Sequence, residues 1–506
     1  MSVKTFAAID VGSFETALKI YEFSGKNKMK EIDCIIRRLD LGSDTYAKGK
    51  INRDKMDELC RTLKQFADIM RSYKVEAYRA CGTSAIRETE NVTIVLDQIT
   101  QRTGIKLDII SNSEQRFLDY KSVASKGESF RRIIEEKTAV VDIGGGSMQL
   151  SLFDNDTLVS TQNLRLGVLR IQELLQHMNA KSTKAEQLID ELATAQLASY
   201  KKLHLKDREI HNIIIVDDYI SPWAVKRTGR AGQKETISPE EFDDLLKLLR
   251  TKSTTEIAVT LDIPEEKVPL VLISAVLTKR IWEFMGAKQV WAPGVTLCDG
   301  IAYEYGEKMK MFQGEHDFEK DIIACALNMS KRYMGSRKRS EALEKITATI
   351  YDSMKKIHGL GRRERLYLRI AAILHDCGKF ISLVNIGETS YNIIMSTEII
   401  GLSHAERELV ANIVRFNHSR FSYQGSGQDY LTVAKLTAIL RLANSLDRSH
   451  KQKFTELKAT LQEQELVLSV DTSEDISLEQ GFFAPSAEFF AEVFSVQPVL
   501  KQKKGF

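Results

Sequence analysis

The amino-acid sequence predicts a mixed α/β protein with two similar halves flanking a cleft, followed by a mostly α-helical region. Three observations predict it. An apolar strand ending in Asp-x-Gly occurs twice, in FAAIDVGSFETALKIYEF (Phe6–Phe23) and AVVDIGGGSMQLSLF (Ala139–Phe153), which sets Asp10 and Asp142 132 positions apart (142 minus 10). Strand and helix patterns alternate between and after these turns, as layered α/β units require. From about Lys308 strand signals vanish and amphipathic helices take over, until an alternating tail begins at Phe454. The expected boundaries are 1–124 and 125–307 for the two halves, and 308–506 for a helical domain with a small terminal β element.

Each element follows from its local pattern. In Asp54–Tyr73, residues Met56, Leu59, Leu63, Phe66 and Met70 recur at steps of three and four, one face of a helix. Val75–Arg79 is short and extended and runs into CGTSAIRE, where Thr83 and Ser84 suit the cap of a following helix. Asn91–Arg102 reads as helix, Leu107–Ile110 as strand, and a further helix starts near Ser113. In the second half, Val168–Met178 and Lys184–Leu203 read as helices, and NIIIV (212–216) as a buried strand. Ser238 and Pro239 open another helix as N-cap and first residue. Val268–Met285 is a long apolar helix, Gln289–Ala292 a strand, and APGVTLCDG turns into a closing helix.

At 506 residues the chain exceeds what one core spans. Its 43% hydrophobic content is that of a soluble globular protein. A net charge of +3 offers no bulk attraction for nucleic acid, so polyanion binding must rest on local clusters. The six cysteines (34, 60, 81, 298, 325 and 377) form no CxxC pair, which argues for reduced thiols rather than a disulfide framework or zinc site. No apolar run nears the ~20 residues a membrane helix needs, and the N-terminus has no apolar signal core. The expectation is a cytoplasmic protein with no nucleic-acid and no membrane partner.

The glycine turns carry the candidate chemistry. Gly12 and Ser13 in the first turn, and Gly144, Gly145, Gly146 and Ser147 in the second, can present successive backbone N–H groups as an anion nest. Asp10 and Asp142 at the strand ends can hold Mg²⁺ or Mn²⁺ or its waters against the same anion. Glycine-rich hairpins with a buried-edge Asp account equally for either stretch alone. Thr83, Ser84 and Arg87 add hydroxyls, a helix N-terminus and a guanidinium fork for phosphate. An ordinary capped helix with a surface Arg explains them too. Glu114, after a strand end, is the candidate general base for an attacking water, although Glu in a first helical turn commonly serves the helix dipole. Two opposed phosphate-gripping turns resemble the actin, hexokinase and chaperone ATPase superfamily, the ribonuclease H-like fold.

AIDVGS, GTSAIR, DIISNSEQR and VVDIGGGS, in this order, resemble the exopolyphosphatase / guanosine pentaphosphate phosphohydrolase family. IPEEKV, APGVTLCDG and the segment from HGLGRRER to ILHDCGK extend the resemblance over nearly the whole chain. It implies removal of terminal phosphate from inorganic polyphosphate, or of the 5′-phosphate from pppGpp, with Mg²⁺ and as a homodimer. It maps the catalytic glutamate onto Glu114 and the phosphate loops onto 10–13, 83–87 and 142–147. Three places depart from the family pattern. Phe14 stands where Asn is usual, Gln149 where Glu is usual, and VDDYIS, with Asp217 and Asp218, replaces a glycine-rich third loop. Gln149 keeps the shape of the glutamate without its charge. These departures motivate the alternative of a polyphosphate or (p)ppGpp-binding sensor with weakened turnover.

In the helical region His375-Asp376 ends an apolar helix, with His358 upstream and Asp447 downstream. Imidazoles with carboxylates suit a divalent metal, and the set resembles the HD metal-dependent phosphohydrolase superfamily. A second metal site there, with hydrolysis of its own, is a further alternative. The basic run Lys331–Arg332 and Arg337–Arg339, with Lys226, Arg227 and Arg230, could line a track for a long polyanion, although solvated helix faces are the default for such runs.

Overall fold

Both Asp-x-Gly stretches form antiparallel strand–turn–strand units closed by an equivalent turn hydrogen bond. Gly12 N–H donates to Glu15 O at 3.0 Å, and Gly144 N–H donates to Ser147 O at 2.9 Å. The register agrees as well: Asp10 pairs with Ala17 in one unit and Asp142 with Gln149 in the other. The computed structural model describes residues 4–24, 29–178, 182–231, 236–312, 314, 316–454 and 456–503. It divides into two units, Met1–Phe318 and Glu319–Phe506.

The first unit holds two sheets of the same plan. Strands β1 (Lys4–Val11), β2 (Glu15–Phe23), β3 (Met29–Arg38), β4 (Ala77–Gly82) and β5 (Leu107–Ile109) run in the order β3-β2-β1-β4-β5. Strands β6 (Thr138–Ile143), β7 (Met148–Asp154), β8 (Thr157–Leu164), β9 (Asn212–Asp217), β10 (Thr236–Ile237) and β11 (Gln289–Trp291) run in the order β10-β11-β9-β6-β7-β8. In each, three antiparallel strands lead the sheet and parallel strands continue it beyond β1 or β6, with β10 added antiparallel at the far edge of the second sheet. Parallel neighbours need crossover helices, which is why strands and helices alternate. The mixed α/β class is therefore as predicted.

Helix starts obey their caps. Ser238 caps the Pro239–Thr251 helix in a capping box with Glu241. The apolar Val268–Met285 helix buries Leu270, Ile273, Leu277 and Ile281 in the second half's core. The first half's core gathers Ile9, Leu18, Leu59, Leu63 and Phe66. A third cluster joins Phe6, Tyr21 and Cys81 of the first sheet to Leu118, Leu297 and Ile301. There the Leu297–Lys308 helix lies so close to the Asn112–Ala124 helix that a Cβ on Gly300 would meet Leu118 O at 1.9 Å.

Several elements, among them the helices Leu41–Lys48, Glu128–Ile134 and Thr254–Leu261, were not read from the sequence. Strands β3 and β8 extend each hairpin to three strands, and helix Ser477–Phe494 interrupts the terminal β element. In Glu319–Phe506, β12 (Glu456–Gln462) and β13 (Glu465–Asp471) form the predicted hairpin, and β14 (Gln497–Lys503) joins β13 in parallel. Among the described residues, no helix is long and apolar enough to cross a membrane.

Candidate active site

The two turns face each other across a cleft in Met1–Phe318. Asp10, Gly12, Ser13, Thr83, Ser84, Arg87, Gly144, Gly145, Gly146 and Ser147 all stand on its walls. A Cβ on Gly145 would come within 3.3 Å of Ser13 Cβ, and one on Gly146 within 3.5 Å of Ser84 Cβ.

The backbone fixes which edge of each turn is free for an anion. The first turn of the Val168–His177 helix takes the second turn's carbonyls. Val168 N–H donates to Gly144 O and Leu169 N–H to Gly145 O, both at 3.0 Å, while Arg170 Nε donates to Gly146 O at 2.9 Å. Among the described residues no peptide is cis, so the N–H after each carbonyl points the opposite way. The amides of Gly145, Gly146 and Ser147 thus leave from the other edge. Gly167 permits this contact, since a Cβ there would meet Gly146 C at 2.1 Å. The first turn repeats the arrangement: Gly42 N–H donates to Ser13 O at 2.7 Å, and Leu39 and Asp40 N–H donate to Phe14 O at 3.0 and 2.9 Å.

Hydroxyls converge between the turns. Ser13 Oγ lies 2.8 Å from Tyr46 Oη and 3.0 Å from Ser84 Oγ. Thr83 Oγ1 instead donates to Val11 O at 3.3 Å, tying the helix start to β1. Arg87 reaches back to Ile110 O at 2.7 Å and Asn112 Oδ1 at 2.5 Å, so its guanidinium steadies the start of the Asn112–Ala124 helix beside the cleft.

Three residues stand differently from the expectation. Glu114 is not on the cleft wall. Its carboxylate accepts from Ser111 N–H at 2.9 Å while Ser111 Oγ accepts from Glu114 N–H at 3.2 Å, a complete capping box. The S-x-x-E pattern in the sequence carried that signal. The same helix presents Gln115 and Arg116 to the cleft instead. Gln149 points away as well, donating to Thr161 Oγ1 at 2.7 Å and Ser151 Oγ at 3.0 Å inside the second sheet. Asp142 is buried beneath Arg116, which is ion-paired to it through Nη1 and donates from Nη2 to Ser147 Oγ at 3.0 Å.

The remaining cleft carboxyls are Asp10 and Asp218, with Lys267 and Glu15 paired at 3.0 Å across from them. Asp10 Oδ1 is sealed from solvent and has no hydrogen-bond partner among the described residues. Burial, aided by the charge of Asp218, pushes the Asp10 carboxyl up to about 8. Asp218 is open to water within the cleft. The enclosing walls raise its pKa and Lys267 draws it back. Burial and the neighbouring Asp142 hold Asp119 well above the usual carboxylate range.

A divalent ion on Asp10 and Asp142 does not fit this donor set. The orphaned Asp10 oxygen would suit one, but the Asp142 oxygen belongs to a buried, permanently charged guanidinium.

Glu319–Phe506 repeats that chemistry separately. Arg339 lies 3.3 Å from Asp376 and 3.9 Å from Asp447, and donates to Asn444 Oδ1 at 2.8 Å. His358 is turned elsewhere, with Nε2 3.0 Å from Tyr351 O and Nδ1 accepting from Leu360 N–H at 2.9 Å. His375 sits beside Asp376 at 3.5 Å. The expected four-ligand set does not assemble, because both His358 nitrogens serve the main chain and Arg339 occupies the space between the acids. Among the described residues no three His, Cys, Asp or Glu side chains converge as a metal site. Arg339 also leaves the expected basic track by facing inward, Lys226 pairs with Asp262, and the side chain of Arg230 lies outside those described.

Comparison with known proteins bears on the family and the fold. The chain is 22% identical over 488 residues to a guanosine-5′-triphosphate,3′-diphosphate pyrophosphatase of Photobacterium profundum, covering 92% of this chain and 91% of that one. It is 26% identical over 211 residues to a bifunctional 3-dehydroquinate synthase/phosphatase of Fusobacterium nucleatum, covering 39% of this chain and 31% of the relative. An exopolyphosphatase structure from Cytophaga hutchinsonii superposes with a TM-score of 0.52 at 18% identity, over 61% of this chain and 100% of that one. The family member from Aquifex aeolicus gives 0.50 at 17% identity, over 61% and 99%. At such identities these structures speak for the shared fold. A model of Ppx/GppA phosphatase domain III matches residues 323–482. The Ppx/GppA phosphatase family model matches residues 20–308, more than half of the sequence, and the chain belongs to that family.

Proposed function

We propose that the cleft binds the terminal phosphates of a polyphosphorylated anion, inorganic polyphosphate or pppGpp, and hydrolyses the outermost phosphoanhydride bond. The observation that carries this reading is the pair of matched turns whose amide edges and hydroxyls meet in one cleft. The names of the Photobacterium and Cytophaga proteins support both substrates. Phosphatases of this family typically use divalent metal ions. Here Arg116 and Arg87, with the amides of 145–147, supply the positive field that phosphoryl transfer needs. Asp218, reachable by water on the cleft wall, accepts the proton of the attacking water. In this reading the halves meet near the 124/125 boundary, and the domains, the homodimer and the cytoplasmic location remain part of the proposal.

The test is phosphate release from long-chain polyphosphate, pppGpp and ATP, each with Mg²⁺, Mn²⁺ or EDTA. Release from the first two and its loss in Asp218→Asn support the reading. No release from any of them, at saturating substrate, discards turnover.

The capping role of Glu114 and the uncharged Gln115 favour a second reading, a sensor that holds polyphosphate or (p)ppGpp without cleaving it. Calorimetric binding without phosphate release would select it.

A further inference from the structure

One residue on the cleft wall, Arg116, has no counterpart among the groups expected there. Arg116 rises from the middle of the Asn112–Ala124 helix, and its side chain is 3% exposed. One arm of its fork is ion-paired to Asp142, and the other donates to Ser147 Oγ at 3.0 Å. A Cβ on Gly144 would stand 3.9 Å from Nη2, so the guanidinium lies against the glycine turn. Asp119, one helical turn along, approaches Nη1 at 4.0 Å. The guanidinium therefore occupies the Asp142 side of the position at which the two strand-end carboxylates were expected to share a divalent ion.

The two kinds of cation exclude each other. A magnesium ion would need the Asp142 oxygen and a near-octahedral shell of oxygens. Taking that oxygen would strand a buried guanidinium beside a dication, a severe electrostatic penalty. A guanidinium needs no such shell. With one arm on Asp142 and the other on Ser147, its five N–H donors allow a further bond to a phosphoryl oxygen, and its charge persists at every pH the protein meets.

We infer that Arg116 is the resident cation of the cleft: it binds a terminal phosphoryl oxygen directly while holding Asp142 and Ser147 in place, so that a phosphoanhydride is gripped without a protein-bound divalent ion. This rests on the reading of the cleft as a polyphosphate site. Asp142 then serves as the anchor of Arg116 and not as a metal ligand.

Isothermal calorimetry on the full chain tests it with two probes, Mn²⁺ alone and short-chain polyphosphate in EDTA or in Mg²⁺. Wild type should show no saturable Mn²⁺ binding at the cleft, and polyphosphate affinity within about threefold between EDTA and Mg²⁺. Arg116→Met should lose about tenfold or more of the EDTA affinity and gain saturable Mn²⁺ binding. Because Arg116→Met leaves Asp142 unpaired, the double variant Arg116→Met/Asp142→Asn provides a folded control, checked by thermal melting. It should lose the EDTA affinity without gaining Mn²⁺ binding. Mn²⁺ binding to wild type that Asp142→Asn removes, or full polyphosphate affinity in the folded double variant, overturns the inference. If polyphosphate binds wild type in neither buffer, the polyphosphate reading fails. The Mn²⁺ comparison of wild type with Arg116→Met then decides alone whether the arginine occupies the cation position.

Discussion

Lys267 Nζ lies 3.0 Å from both carboxylate oxygens of Glu15, and the pair joins the short 3-10 turn before the Val268–Met285 helix to the hairpin of the first half. Both residues stand on the cleft wall, next to Asp218. The pair is mostly shielded, with side chains 11% and 22% exposed. It sits between the surface and buried limits for ion pairs, so Lys267→Met should cost roughly 1–3 kcal/mol in chemical denaturation. The same change removes the charge that lowers the Asp218 pKa. The acid limb of the kcat/KM profile should therefore move to higher pH, which a pH–rate series checks.

Glu114→Gln separates the cap from the chemistry. Loss of the charged partner in the Ser111 capping box should lower stability by about 0.5–1 kcal/mol and leave turnover within a few-fold. Asp218→Asn should lower kcat by about 10²–10⁴ with little change in melting temperature. The opposite ranking would return the base to Glu114.

Gly167→Ala probes the contact that orients the second turn. Its Cβ would press into the backbone of Gly146 at 2.1 Å and Ser147 N at 2.3 Å. Neither neighbour is a side chain that could swing aside. A destabilisation of about 3 kcal/mol or more is expected, with polyphosphate affinity lost together with it.

Glu319–Phe506 should be acid-sensitive through His375. Burial keeps that imidazole neutral, its pKa pushed down to about 3. Its Nε2 has no hydrogen-bond partner and its side chain is fully enclosed. An unfolded chain protonates it below about pH 6.5, so the unfolded state binds the extra proton and stability falls as pH drops from there toward 3. The slope from this residue is about 1.4 kcal/mol per pH unit. His375→Gln should flatten that slope in urea melts collected between pH 6.5 and 4.

Much of the architecture was legible because it rests on local pattern. The Asp-x-Gly turns, the helix Met56–Met70 stripe and the Ser238 cap are each set by neighbouring residues. Strand β3 was missed because seven of its ten residues are exposed and the remaining three only half-buried, leaving no buried apolar face to read. The site was less legible for a different reason. Whether Glu114 or Arg116 meets the cleft depends on how the Asn112–Ala124 helix is rotated, and the rotation is set by its packing on the Leu297–Lys308 helix. Gln149 and Arg339 are similar cases. Their types are visible in the sequence, but the partners that claim them are not: Thr161 sits on the unread strand β8, and Asp447 lies far along the chain from Arg339.

That helix contact at Gly300 has a consequence for how the chain is made. The outer face of the first sheet, with Phe6 and Tyr21, is clad by a segment that leaves the ribosome only after the second sheet has been synthesised. An emerging N-terminal fragment thus carries a greasy flank that Leu118 covers only in part, and it must either wait or be escorted by a chaperone. Anyone expressing the first half by itself should append residues 297–308, or expect inclusion bodies.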